Sequence, residues 1–197
     1  EGIITMKDNF EIERKENIKK LGNEKEIGSN SIKWIEDVSK FNYSYNFNWL
    51  GRPIIQFPQD MIAIQEIIWK VKPDLVIETG IAHGGSLIFS ASILEIIGKG
   101  QVLGIDIDIR EHNKIEIEKH PMSKRIKMIE GSSIDKKIAN QVYKLAKGKK
   151  TILVILDSNH THEHVLKELE MYSPLVTKDS YLVVFDTVIE NMPENSF

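Results

Sequence analysis

The 197-residue chain has no cysteine. That excludes disulfides and thiolate metal sites and fits a reducing compartment, so a cytoplasmic location is expected. It has no apolar run near the roughly 20 residues needed to cross a bilayer, and nothing at its start has the layout of a signal peptide. No transmembrane segment is expected, and any membrane association would be peripheral. Positive charge is not in excess either: 26 Lys and Arg stand against 29 Asp and Glu, a formal net charge of −3. No global field recruits nucleic acid, and the basic run from Lys147 to Lys150 reads as solvated surface. Internal repeats and low-complexity segments are also missing. What remains, 41% hydrophobic and 28% charged, is the composition of an ordinary soluble domain with one substantial core.

Residues 1–57 read as an N-terminal extension. "EIERKENIKK" suits a surface helix and "GNEKEIGSN" a loop. After them "FNYSYNFNWLGRPIIQFPQD" gathers Phe41, Tyr43, Tyr45, Phe47, Trp49 and Phe57 around Pro53 and Pro58, which prevent long regular structure. This aromatic loop is expected to be ordered, its rings packing on the domain or meeting a substrate. Residues 58–197 form that domain. A helix from Pro58 carries Met61, Ile64, Ile67 and Ile68 on one face. Strands then alternate with helices: 75–78, 102–106, 126–129, 152–157 and 181–186, with helices near 86–97, 111–119, 134–147 and 162–171. The pattern predicts an α/β fold, a mainly parallel sheet with helices on both faces and ligands at the strands' carboxyl ends. The chain begins at Glu1 without a methionine and stops at Phe197, soon after a strand-like run and a Pro193 turn. Both ends read as trimmed.

The carboxyl ends carry the polar residues. In "DLVIETGIAHGGSLIFSASIL" a β-branched run ends on Glu78, Thr79 and Gly80, turns through Ala82, His83, Gly84 and Gly85, and enters a helix at Ser86. Such a turn lets a ligand approach the backbone and the helix's unpaired N–H groups. His83 is equally suited to lining that turn and to facing a substrate. Asp106, with Asp108 just beyond it, ends the second strand, where a carboxylate accepts hydrogen bonds from ribose hydroxyls. Ser132 and Ser133 follow the third strand. Asp157 and Asp186 end strands expected to be neighbours, so their oxygens can converge on a hard cation of the magnesium kind. The G-x-G-x-x-G spacing of a dinucleotide fold is absent, and Asp106 lies further along than that pattern asks. An NAD(P)-dependent oxidoreductase is therefore the weaker nucleotide reading.

"NFNWLGRPIIQFPQDMIAIQEIIWKVKPDLVIETGIAHGGSLIFSASIL", "GIDIDIREHN", "EGSSID", "LVILDSNHTHEHVLKELEMYSPLV" and "SYLVVFDTVIE" together resemble the cephalosporin hydroxylase / rhamnosyl O-methyltransferase family over about residues 42 to 194. The resemblance implies a Rossmann-like, S-adenosylmethionine-dependent O-methyltransferase whose metal site is similar to that of the catechol O-methyltransferases. It implies that Glu78, Gly80 and Gly84 serve the cofactor's methionine side, Asp106 the ribose, and Ser132 and Ser133 the adenine. Thr79, Ala82, His83, Ser86, Asp108 and Asp157 complete the expected cofactor set. Asp157 and Asp186 match metal-binding carboxylates, with Mg2+ the implied ion. His160 stands three residues beyond Asp157, where catechol methyltransferases carry a catalytic lysine. One position departs: a glutamate that also binds metal can precede the second aspartate, and here it is Phe185. Thr187 or waters would then complete the coordination. Such folds end in two further strands, for which this chain has no sequence.

Methyl transfer to an alcohol requires alignment of the acceptor oxygen with the sulfonium carbon and removal of its proton. A neutral imidazole suits the second task, and His160 is the candidate base. His160 and His164 could alternatively grip zinc, although the H-E-x-x-H pattern is absent. The expected acceptor is a hydroxyl of a glycan, a glycolipid or a small secondary metabolite, and a homo-oligomer is expected. A catalytically idle binding or scaffold protein of the same fold is the reading from another class.

Overall fold

The computed structural model describes residues 6–192. The end of the predicted domain, with its Pro193 turn, lies outside the described residues. The chain divides into a unit of residues 43–189 and a unit of residues 1–42 with 190–197. The smaller unit holds helices α1 (Met6–Asn23) and α2 (Lys25–Ser39). The loop expected over "GNEKEIGSN" is therefore mostly helix, interrupted only at Glu24. The hydroxyls of Ser29 and Ser31 donate back to the carbonyls of Lys25 and Ile27, at 3.0 and 2.8 Å. Polar groups that read as loop formers are thus satisfied inside the helix.

In the larger unit the aromatic segment is a hairpin, β1 (Phe47–Trp49) paired antiparallel with β2 (Arg52–Ile54). It is followed by α3 (Pro58–Val71), β3 (Leu75–Thr79), α4 (Gly85–Ile97), β4 (Gln101–Asp106), α5 (Glu111–Lys119), β5 (Ile126–Glu130), α6 (Lys136–Ala146), β6 (Ile152–Leu156), α7 (His162–Tyr172) and β7 (Leu182–Val184). The five longer-range strands form one parallel sheet in the order β5-β4-β3-β6-β7. This is the predicted fold.

Strand alternation divides the core in two. Val76, Val102, Leu153 and Ile155 pack with Ile64 and Ile68 of α3, the buried face of α4 and Ile117 of α5. Leu75, Ile77, Leu103, Ile105, Ile152, Val154 and Leu156 pack on the other side with Ile138 and Val142 of α6 and Tyr172 of α7. By the same alternation Glu78, Asp106 and Asp157 fall on the α3–α4 side. α4 is buried without a break from Leu87 to Leu94, as expected of the helix that follows the central strand. The hairpin docks on it. Trp49 meets Phe89 edge to face at 4.8 Å between ring centroids and donates Nε1–H to the Ser92 hydroxyl at 3.1 Å. Tyr43 packs on Phe47 and Phe57, at 5.1 and 5.9 Å. These rings fasten the hairpin to the domain, an arrangement worth about 0.5–1.5 kcal/mol per aromatic pair beyond area burial. Among the described residues no helix is long and apolar enough to cross a membrane.

Candidate active site

The turn after β3 is held from three sides. Gly80 has φ +91°, and a Cβ there would run into the backbone carbonyl of Asp157. Gly84, which precedes α4, has φ +83°, and a side chain there would collide with Ile117. Between them Ala82 accepts a positive φ of 46°, a strained state for a residue with a side chain. Bracing comes from outside the motif. The Arg52 guanidinium donates to the His83 carbonyl, at 2.6 and 3.1 Å, and to Asn113 Oδ1 at 3.0 Å. Asn113, buried in α5, donates to the Ala82 carbonyl at 3.0 Å. The backbone of His83 is thus part of the turn's support.

Asp106 closes the turn from β4. Its Oδ2 accepts from the N–H groups of Ile81 and Ala82, at 2.7 and 3.2 Å, and its Oδ1 from the Asp108 N–H at 3.2 Å. Of about four lone-pair positions on a carboxylate, three are used and acceptor capacity remains. Asp106, Gly80, Ser132 and Ser133 line a cleft of about 360 Å3 over the strand ends, within the size range of small-molecule sites. The Asp108 side chain is exposed. Ser133 is tied down by a network that sequence reasoning missed. His164 Nε2 lies 3.1 Å from the Ser133 hydroxyl and 3.2 Å from the Ser158 hydroxyl. Ser158 donates to the buried Glu168 at 2.7 Å, and the Tyr172 hydroxyl donates to the Ser133 carbonyl at 2.6 Å. His164 Nε2 is therefore committed to Ser133, Ser158 and Glu168, whereas His160 Nε2 reaches Asp186.

Glu78 and Ser86 lie apart from this cleft. They border a small apolar cavity with Met61, Phe89 and Phe185. Glu78 is 1% exposed and neither carboxylate oxygen has a hydrogen-bond partner. Burial pushes its carboxyl up to about 7, and the nearby Ser86 hydroxyl, which does not reach hydrogen-bond geometry, offsets this only in part.

The third group stands at the ends of β6 and β7, which are parallel neighbours. Asp157 Oδ2 accepts from Gln56 Nε2 at 2.8 Å. Burial, then the charges of Asp186 and Glu78, raise the Asp157 carboxyl well above its ordinary range, and the Gln56 bond opposes them. Asp60, at the start of α3, is raised by burial and by Asp186. Asp186 has φ +57°, a left-handed turn that Asp tolerates better than most residues. His160 Nε2 lies 3.2 Å from Asp186 Oδ2. The loop carrying His160 is set by Asn159, whose Oδ1 accepts from the Thr161 N–H and hydroxyl, at 2.9 and 2.6 Å. The ligand atoms of Asp157, His160 and Asp186 all lie within 4.8 Å of one another. Two carboxylates and an imidazole so disposed fit a divalent ion. Thr187, next to Asp186, is exposed, and Phe185 packs into the core on the α3–α4 side.

A glycine turn held by a strand-end acid, beside a carboxylate–imidazole group on the neighbouring strands, belongs to a known architecture. The fold is that of the S-adenosylmethionine-dependent methyltransferases. CmcI with Mg-SAM aligns at a TM-score of 0.55 and 19% identity, covering 74% of this chain and 60% of that one. An O-methyltransferase from Bacillus cereus in complex with SAH aligns at 0.56 and 13%, covering 85% and 73%. The family model "Rhamnosyl O-methyltransferase/CmcI" matches residues 41–197, and the chain belongs to that family. The rhamnosyl O-methyltransferase of Mycobacterium tuberculosis is 38% identical over 141 residues, 68% of this chain and 54% of that protein. Its namesake in Mycobacterium leprae is 34% identical over 157 residues, 77% and 66% respectively. The chain thus spans about half the length of the M. tuberculosis relative.

Proposed function

We propose that this chain is an S-adenosylmethionine-dependent O-methyltransferase acting on a hydroxyl of a glycan, a glycolipid or a small metabolite. The observation that carries the reading is the adjacency, over neighbouring strand ends, of the cleft built on Asp106 and the Asp157–His160–Asp186 group. Asp106 takes the ribose hydroxyls with its remaining acceptor capacity, and Gly80 and Gly84 let the ligand approach the turn. Ser132 and Ser133 border the adenine end. Glu78, set apart from that cleft in its own buried cavity, is the candidate partner of the cationic methionine end and would ionise on meeting it. The carbon–sulfur bond breaks as the carbon–oxygen bond forms in line, and the acceptor's proton leaves at the Asp157–His160–Asp186 group. Two jobs are open to an imidazole there: taking that proton itself, or ligating an ion that acidifies the hydroxyl. Asp157 and Asp186 would hold such an ion, which would supply Lewis acidity at the acceptor oxygen.

The sugar acceptor is favoured by the rhamnosyl O-methyltransferases among the relatives. A cofactor-binding protein without catalysis is the second reading, and Phe185, in place of a third carboxylate, is the observation in its favour. Calorimetry and thermal shift separate the possibilities. S-adenosylhomocysteine is expected to bind and stabilise the protein, and NAD is not. Binding of NAD alone would establish the oxidoreductase, and cofactor binding with no turnover on any hydroxyl acceptor would establish the idle protein.

A further inference from the structure

Position 185 lies, by strand alternation, on the same side of the sheet as Glu78 and Asp157. A carboxylate there could join Asp157. Phenylalanine instead packs with the core and closes the small cavity beside Glu78. Asp186 itself has turned into the left-handed region and already serves the group. The remaining donor comes from the other loop, where the Asn159 turn sets the backbone just ahead of α7 and the His160 imidazole reaches Asp186.

The spacing is close to that of ligands around one ion. Two donor atoms about 2.1 Å from an ion and at right angles lie about 3 Å apart, and opposite donors about 4.2 Å. His160 Nε2 and Asp186 Oδ2 are 3.2 Å apart, and the full set falls within 4.8 Å. The first separation is already that of adjacent ligands, and the set closes on one centre once every separation is within about 4.2 Å. Gln56, buried and bonded to Asp157 Oδ2, acts as the outer partner that orients a ligating carboxylate.

We propose that Asp157, His160 and Asp186 together bind a first-row transition ion in preference to Mg2+, with the His160 nitrogen standing in for the oxygen ligand that Phe185 cannot provide. The inference rests on reading this group as the acceptor end of the methyltransferase site, and it gives His160 the ligand's job rather than the base's. The selectivity follows from donor type. Mg2+ takes oxygen ligands and parts reluctantly with water, whereas imidazole suits the transition ions and gains along the series from Mn2+ to Cu2+. A nitrogen in the set penalises Mg2+ and leaves open positions for water and an acceptor hydroxyl.

The test uses Mn2+ as the probe on the purified chain without cofactor. Electron paramagnetic resonance titration should give one saturable site, and pulsed measurements on that ion should detect nitrogen-14 coupling from a directly bound imidazole. A tenfold excess of Mg2+ should leave most of the Mn2+ in place. His160→Gln should lose the nitrogen signal and at least about tenfold in Mn2+ affinity, since losing even an outer partner costs that much. Phe185→Glu with His160→Gln should restore an oxygen-only site that Mg2+ enters on nearly equal terms. Bound Mn2+ without nitrogen coupling in the unaltered protein would overturn the proposal and return His160 to the role of base. Displacement by equimolar Mg2+, or absence of a saturable site, would overturn it as well. Calorimetry with S-adenosylhomocysteine on the same samples keeps the two failures apart: a protein that binds it but no Mn2+ loses only the metal claim, and one that does not bind it loses the methyltransferase reading itself.

Discussion

Replacing Glu78 by glutamine removes a charge and little volume, and its effect on stability should depend on pH in a calculable way. In the folded protein the carboxyl is buried, without a hydrogen-bond partner, and raised from 4.5 to about 7. The native state therefore keeps this proton to higher pH than the unfolded chain does. Between about pH 4.5 and 7 it binds more protons, and stability must fall as pH rises through that window and level off above it. A tenfold change in proton affinity is worth about 1.4 kcal/mol, so the whole effect is about 3 kcal/mol, of which about 2.5 falls between pH 5 and pH 8. Glutamine cannot ionise and lacks this slope. Any cost of burying its amide is the same at every pH and cancels when the difference between variant and wild type is compared across pH. Asp157 titrates in the same direction, and since the Glu78 charge is one of the causes that raise it, removing that charge lessens the Asp157 shift and adds to the variant's gain with the same sign. Urea denaturation of the two, free of cofactor and in chelator, should show Glu78→Gln gaining about 2–3 kcal/mol on wild type between pH 5 and pH 8. A difference that stays constant over that range would mean that Glu78 is ionised in the ordinary acid range, and the argument from burial would fail.

Asp106→Ala should weaken S-adenosylhomocysteine binding at least about tenfold by calorimetry. It should also cost about 1–3 kcal/mol in urea denaturation, because the Ile81 and Ala82 N–H groups lose their acceptor; unchanged affinity would remove Asp106 from the site. Gly80→Ala should cost about 2–4 kcal/mol, a positive φ and a collision with the Asp157 carbonyl acting together. A variant as stable as wild type would show that this turn and the β6 loop are not in the contact described.

The alternation of strands and helices from Leu75 to Asp186 was legible because each element carries its own apolar period, and with it came the five polar strand ends. The smaller helical unit was misread at residues 22–30, where Gly and Asn suggested a break and the helix absorbed them. Within the site, the motif residues could be named, but not what holds them. Gln56 reaches Asp157 across 101 positions and Arg52 reaches Asn113 across 61, distances at which no local pattern pairs one residue with another. The two polar residues among the apolar ones of "GRPIIQF" were the only available sign. His164 read as one of several histidines in "HTHEH", and only the folded chain distinguishes it, by Ser133, Ser158 and Glu168, from the exposed His162 beside it.

The three carboxylates Glu78, Asp106 and Asp157 follow the same odd–even count along β3, β4 and β6, the count that directs Val76, Val102 and Ile155 toward α3 and α4. Lineages of this protein can therefore drift in one respect and not in another. A residue gained or lost in a connection such as that between α6 and β6 leaves the count untouched. The same event inside one of the three strands would send its acid to the α6–α7 side and an aliphatic residue into its place, so both core and chemistry would fail at one stroke. Length variation among functional descendants should accordingly be confined to the connections, and grafts that vary loop length should leave these three strands intact.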